Sequence, residues 1–223
     1  MTVFSSIGEM GRYAYANQPA IAQWNLARLA ETLLPLIDDD SDRAVMQATE
    51  VLDRFPLRFS SNWLNLHRAK LGLRGDQTDD ESDRALINDL LALMHEHRTD
   101  FTLGFRRLSA LLRGQDEAFQ ALWGDSAAAA GSWRQRWQAR LDAQGEPQTA
   151  IADRMDATNP LYIPRNHLVE NALDAVIESQ DMRPFERLLA IVGSPFDERV
   201  EDSLAALPGT PEQTAGFRTF CGT

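Results

Sequence analysis

The stretch that most limits what this chain can fold into runs from Pro19 to Ile37. Ala22, Leu26, Leu29, Ala30, Leu33, Leu36 and Ile37 recur there at helical spacing, making a broad apolar stripe along a helix that must be buried against something. Gln23, Arg28, Glu31 and Thr32 fall on the other side. Pro19 suits a first turn, where a missing N–H is no loss, and Asn17 or Gln18 just before it can serve the unpaired amides of that turn. The loop leading in is unusually polar. Arg12, Tyr13, Tyr15, Asn17 and Gln18 put five polar or amphipathic side chains into seven positions, more hydrogen-bonding capacity than a bare connector uses.

Helical patterning continues beyond Ile37. Asp38-Asp39-Asp40-Ser41 suits a helix N-terminus, with Val45, Ala48, Leu52 and Phe55 as the next apolar face and Pro56 as its end. Residues 57 to 72 bring Phe59, Trp63, Leu66 and Lys70 to one side before Gly72 and Gly75 stop the element. Thr78-Asp79-Asp80-Glu81 reads as a capping box for a helix burying Leu86, Ile87, Leu90, Leu91 and Met94. Thr99 is expected to cap the next, with Phe101, Phe105, Leu108 and Leu112 inside.

Between 114 and 132 the pattern is open between helix and connector. Trp133, Trp137 and Leu141 then mark a clear amphipathic face, and a weaker helix begins at Pro147. A second loop-to-helix transition at 159 to 166 leads to Leu168, Ala172, Ala175 and Val176; a helix from Pro184 carries Phe185, Leu188, Leu189 and Val192 to Gly193. No alternating strand pattern and no repeat is visible, so the expected class is all-α. The expected division is a lead-in segment over 1–19, a helical domain over 20–193 with a weak break near 114–132, and an irregular tail over 194–223.

The formal charge of −11 and pI near 4.8 argue against a nucleic-acid backbone or an anionic membrane as partner. No apolar run is long enough to span a bilayer and no basic-then-apolar leader opens the chain, which points to a soluble protein, and the use of one cysteine points to a reducing, cytoplasmic setting. Cys221 is the single cysteine, so neither an internal disulfide nor a cysteine zinc cluster can form. His67, His95, His97 and His167 lack metal-motif spacing, and no metal site is expected. No Gly-x-Gly-x-x-Gly loop, Walker lysine or Asp-Phe-Gly equivalent is present.

The run Gly11-Arg12-Tyr13-Ala14-Tyr15-Ala16-Asn17-Gln18-Pro19 with Ile21-Ala22, Trp24-Asn25-Leu26 and Arg28-Leu29-Ala30 resembles the signature of the selenoprotein O family. Asp100-Phe101-Thr102 with Phe105-Arg106-Arg107-Leu108, Asn159-Pro160 with Arg165-Asn166, and Ser194-Pro195-Phe196 are similar to later family segments. Cys221 stands where members carry cysteine or selenocysteine. The resemblance implies the rear of a pseudokinase C-lobe and its C-terminal helices, in proteins that transfer AMP from ATP to hydroxyls of other proteins. It implies that the ATP and magnesium residues lie upstream of the Gly-Arg-Tyr motif. This chain alone is then expected to hold neither ATP nor Mg and to be inactive. Two departures stand out. Ser6-Ile7-Gly8-Glu9-Met10 replaces the Ser-Asp that often precedes the motif with a nearby cysteine, so a redox bridge from Cys221 lacks its partner, and Pro164 replaces an aliphatic residue.

On the resemblance, Arg12, Tyr13, Tyr15, Asn17 and Gln18 form an activation-loop-like segment on the protein-substrate face; on the residues alone, the same donors and acceptors would brace the first helix. Trp24 and Asn25 read as structural, and Arg106, Arg107 and Arg165 as partners of the chain's own carboxylates. Cys221 is either a redox thiol or an inert terminal residue. Two functions are weighed: a C-terminal fragment of an adenylyltransferase whose partner is the missing N-terminal half or a protein substrate, and a free-standing helical interaction module. The fragment reading leaves either an apolar patch around the first helix or a homo-oligomer that covers it.

Overall fold

The computed structural model describes residues 11, 14–75, 79–124 and 127–214. Among these the chain is all-helical, with no strand. The residues group into two compact units, one reaching to Trp63 and one beginning at Leu64.

The first unit opens with a 3-10 turn, Tyr15–Asn17, that runs into α1 (Gln18–Ile37) with Pro19 in its first turn. Three residues later α2 (Ser41–Asp53) begins, because the Asp40 carboxylate accepts from the Asp42 and Arg43 amides at 3.0 and 3.1 Å. Asp38 ties the same corner from behind, accepting from Arg43 Nη2 at 2.8 Å. Helices α1 and α2 pack on each other. Pro56 does not close α2 as expected but lies in the first turn of α3 (Phe55–Lys70), where its missing N–H is harmless. The apolar stripe is present but largely uncovered: α1 contains no buried residue and α2 only Ala44.

The second unit holds the core. Its helices are α4 (Asp80–Glu96), α5 (Phe101–Leu112), α6 (Asp116–Trp123), α7 (Ala127–Asp142), α8 (Gln148–Thr158), α9 (Asn166–Ser179) and α10 (Arg183–Gly193). A 3-10 helix, Val200–Ala206, and the single turn α11 (Pro211–Thr214) follow. Helix α5 packs on α6 and α8, α4 on α7, and α9 on α10. The segment left open between helix and connector is helical over α6 and again from Ala127. Trp133 and Trp137, one helical turn apart on α7, stack with centroids 5.6 Å apart. Their indole N–H groups donate to Leu86 O at 2.8 Å and Leu71 O at 2.9 Å, so neither of these two rings leaves its N–H unpaired.

One local expectation is corrected. Thr78, named for the capping box, lies outside the described residues; α4 starts after Asp79, which makes no side-chain cap bond. Helix α5 is capped not by Thr99 but by Asp100, whose carboxylate accepts from Leu103 N at 2.9 Å. In the part of α3 that belongs to this unit, Leu64, His67 and Arg68 are buried, while Leu66 is 63% exposed. Arg68 can be buried because Asp83, itself fully buried, accepts from its Nε at 2.7 Å and from Arg140 Nε at 2.9 Å. Gly72 at φ +71 carries the chain out of α3. A Cβ there would lie 2.4 Å from Ile151 Cγ2 and 2.8 Å from Met155 Sδ, so glycine permits both the turn and the close approach of α8.

Candidate functional site

The residues singled out in the lead-in loop divide. Gly11, at φ +65, turns the chain so that its carbonyl accepts from Ala14 N at 2.9 Å and from Asn17 Nδ2 at 2.8 Å. The Asn17 side chain therefore faces back into the loop and does not cap α1 as expected; its backbone N–H donates to Ala14 O at 2.8 Å. This is the bracing arrangement, since one side chain locks a buried turn to the start of the helix. Tyr15 and Gln18, by contrast, are exposed. Partial burial of the Tyr15 ring pushes its phenol above the ordinary value. Arg12, Tyr13 and Cys221 lie outside the described residues.

Beside this loop the first unit carries an apolar groove of about 450 Å³. Leu26, Leu29 and Leu33 of α1 face Val51 and Leu52 of α2 across it, with Phe55 of α3 at one end and Gln47 and Arg58 as its polar groups. Leu29 is 54% exposed. Trp24, expected to pack, is instead 48% exposed, with the Arg28 guanidinium over its ring at 5.5 Å. A groove with this lining can take an apolar side-chain row. It offers neither carboxylates for magnesium nor a cluster of donors for a triphosphate. Among the described residues no group of three or more His, Cys, Asp or Glu is placed to hold a metal ion. The lining of this groove thus does not fit a metal-nucleotide complex.

The arginines of the second unit are committed to the protein itself. Arg165 places its fork on Asp100 at 2.8 and 3.0 Å and donates to Ala206 O at 2.7 Å. Burial pushes the Asp100 carboxyl up, but the Arg165 fork and the Leu103 and Thr102 amides outweigh it and hold it below the usual range. Arg106 spends its donors on three carbonyls, Asp156 O at 2.8 Å, Asn159 O at 3.1 Å and Phe196 O at 3.1 Å. Arg107 reaches Glu198 at 3.4 Å. The motif residues Asp100, Arg106, Asn159 and Arg165 thereby staple the helices to the stretch after Ser194, where Pro195 O also accepts from the Leu161 and Tyr162 amides. Sequence reasoning missed the Arg68–Asp83–Arg140 triad, because periodicity counts charged positions as outward-facing.

The family model described as "Protein adenylyltransferase SelO" matches residues 4–192. Among similar proteins, the "Protein nucleotidyltransferase YdiU" of Cereibacter sphaeroides is 49% identical over 222 residues, covering all of this chain and 44% of that protein. The proteins of the same name in Rhizobium etli and Chromobacterium violaceum are 47% and 48% identical, again over the whole chain and over 44% and 46% of their own lengths. This chain thus spans less than half the length of the curated relatives it matches. With the matching motifs placed at the loop, at the cap of α5 and at the start of α9, the chain belongs to the SelO family.

Proposed function

We propose that this chain is the helical C-terminal part of a SelO-type protein adenylyltransferase, a protein that moves AMP from ATP to hydroxyl side chains of other proteins. The ATP and magnesium groups are supplied by the upstream part of such a protein, and the chain by itself does not transfer AMP. The lead-in loop borders the protein substrate, with Tyr15 and Gln18 facing it and Asn17 holding the loop in shape; Arg12 and Tyr13 are the further candidates for that contact. The α1–α2 groove receives apolar side chains from the upstream part. The observation that carries this reading is a 20-residue amphipathic helix without one buried residue, in a chain that is matched over its whole length but covers only 44% of the relative it matches. A stripe of that length is stable only when covered.

The test is complementation. The purified chain, ATP, Mg²⁺ and an acceptor protein should give no AMP adduct by mass spectrometry. Addition of the separately produced upstream part of a YdiU relative should produce one, and charged substitutions at Leu29 and Leu33 should abolish that gain. AMP transfer by the chain alone, or complementation indifferent to the groove, overturns the proposal.

A further inference from the structure

The sequence has 22 cationic side chains, and all but one are arginine. The exception is Lys70, at the last position of α3. Its surroundings differ in kind from those of the arginines near it. Arg68, Arg113, Arg140 and Arg165 all lie on carboxylates. Lys70 has none: its Nζ donates at 3.3 Å to the neutral amide oxygen of Asn159 and stands 5.2 Å from the centroid of the buried Phe105 ring. Asn159 is fixed in turn, donating from Nδ2 to Lys70 O at 2.8 Å. The lysine is half-buried, so part of the residue meets solvent. Among the described residues no carboxylate pairs with this ammonium.

A guanidinium does not lose its proton in proteins and is a poor nucleophile, whereas an amine held away from water and from full negative charge gives up its proton readily. Burial lowers the Lys70 pKa from its ordinary value, and neither neutral partner supplies the charge that would restore it.

We propose that Lys70 is a modification site, an amine activated by the Asn159–Phe105 setting for acylation by acyl phosphates. In the step, the neutral Nζ attacks the carbonyl carbon of the acyl phosphate. The C–N bond forms, the C–O bond to phosphate breaks, phosphate leaves with the electron pair, and the surplus proton on nitrogen passes to water. The product is a neutral amide, which removes the Lys70 charge from its place beside Asn159 and the Phe105 ring. This inference does not depend on the AMP-transfer reading.

The test treats the chain with acetyl phosphate and follows acetylation by peptide mass spectrometry, which separates Lys70 from the α-amine of Met1. Lys70 should react at least about twofold faster in the folded chain than in guanidinium chloride, after correction by the rate of a free Nα-acetyl-lysine amide in both solvents. Equal or slower reaction when folded overturns the proposal. Asn159→Asp, which sets a carboxylate beside the ammonium, should slow acetylation of the folded chain, and an unchanged rate refutes the part given to the neutral partner. Should that variant fail to fold, the comparison of folded and unfolded wild-type chain decides alone. Lys70→Arg should lose the adduct while keeping the charge.

Discussion

Helix α1 and helix α7 both carry regular apolar stripes, yet α1 has no buried residue, while α7 buries Trp133, Trp137 and Leu141 to 1% or less of their surface. Periodicity does not account for the difference. Helix α7 lies against α4, and its two indoles find backbone carbonyls on Leu86 and Leu71 that fix the packing. Among the described residues helix α1 packs chiefly against α2, and one neighbouring helix does not enclose a stripe that broad. The lesson is that spacing specifies which side of a helix is to be covered, whereas the supply of a cover depends on how many neighbours the chain provides. If the two regions differ in this way, substitutions in them should differ in cost.

The largest contrast should come from Trp137→Ala set against Leu36→Ala. The first removes a fully buried ring and its hydrogen bond and should cost about 3–5 kcal/mol. The second trims a residue that is 83% exposed and should fall within about 0.5 kcal/mol. Denaturant unfolding followed by tryptophan fluorescence and circular dichroism measures both. Similar costs would erase the distinction between covered and uncovered stripes.

Next in size is Asp83→Asn. Asp83 accepts from Arg68 and Arg140 with almost no solvent contact, and its loss leaves the two guanidinium groups with only the more exposed Asp80 and Asp79 as counter-charges. The expected penalty is about 3 kcal/mol, at the lower end for a broken buried pair because asparagine keeps an acceptor oxygen. Asp40→Asn in the first unit, a cap in open solvent, should be close to neutral since asparagine caps as well as aspartate.

Asp100→Asn should cost about 2 kcal/mol at neutral pH, the worth of a charge-assisted pair, and its signature is in the pH dependence. Because the folded carboxyl lies below its unfolded value, the Arg165–Asp100 contribution is fully present above the unfolded pKa of about 3.9 and is lost as pH falls through the lower folded value. The stability gap between wild type and variant should therefore hold from pH 7 to about 5 and close on further acidification. A gap that is constant down to pH 3 would mean that the shift of Asp100 is absent and that the pair acts only through its shape.

How much of this could be read from the residues follows the same division. The all-α class, the proline-started helices and the Trp133-Trp137-Leu141 face were legible because each rests on local spacing. The buried side of α3 was not: Phe59 and Leu66 look like core, yet His67 and Arg68 are buried, and only the remote Asp83 makes that affordable. Asp100 rather than Thr99 caps α5 for a similar reason, since its carboxylate is also held by Arg165, 65 residues away. In the lead-in loop the abundance of polar side chains was visible. What could not be read was that Asn17 turns inward to Gly11 O while Tyr15 and Gln18 stay outside, because that depends on the left-handed turn at Gly11.

The smallest expected change in stability is the most informative about the groove. Leu29→Asp and Leu33→Asp place charges on a face that is 54% and 40% exposed at those positions. With no enclosed site for the carboxylates to desolvate, folding free energy should move by about 0.5 kcal/mol or less. The apolar surface offered to solvent should nevertheless fall, and with it the fluorescence of a bound dye such as anilinonaphthalene sulfonate; any self-association of the chain through this face should weaken in parallel on light scattering. A loss above about 2 kcal/mol, as expected for a buried leucine, would show that α1 is already part of a closed core. In that event the contrast with α7 would be one of degree, and the groove would have nothing left to receive.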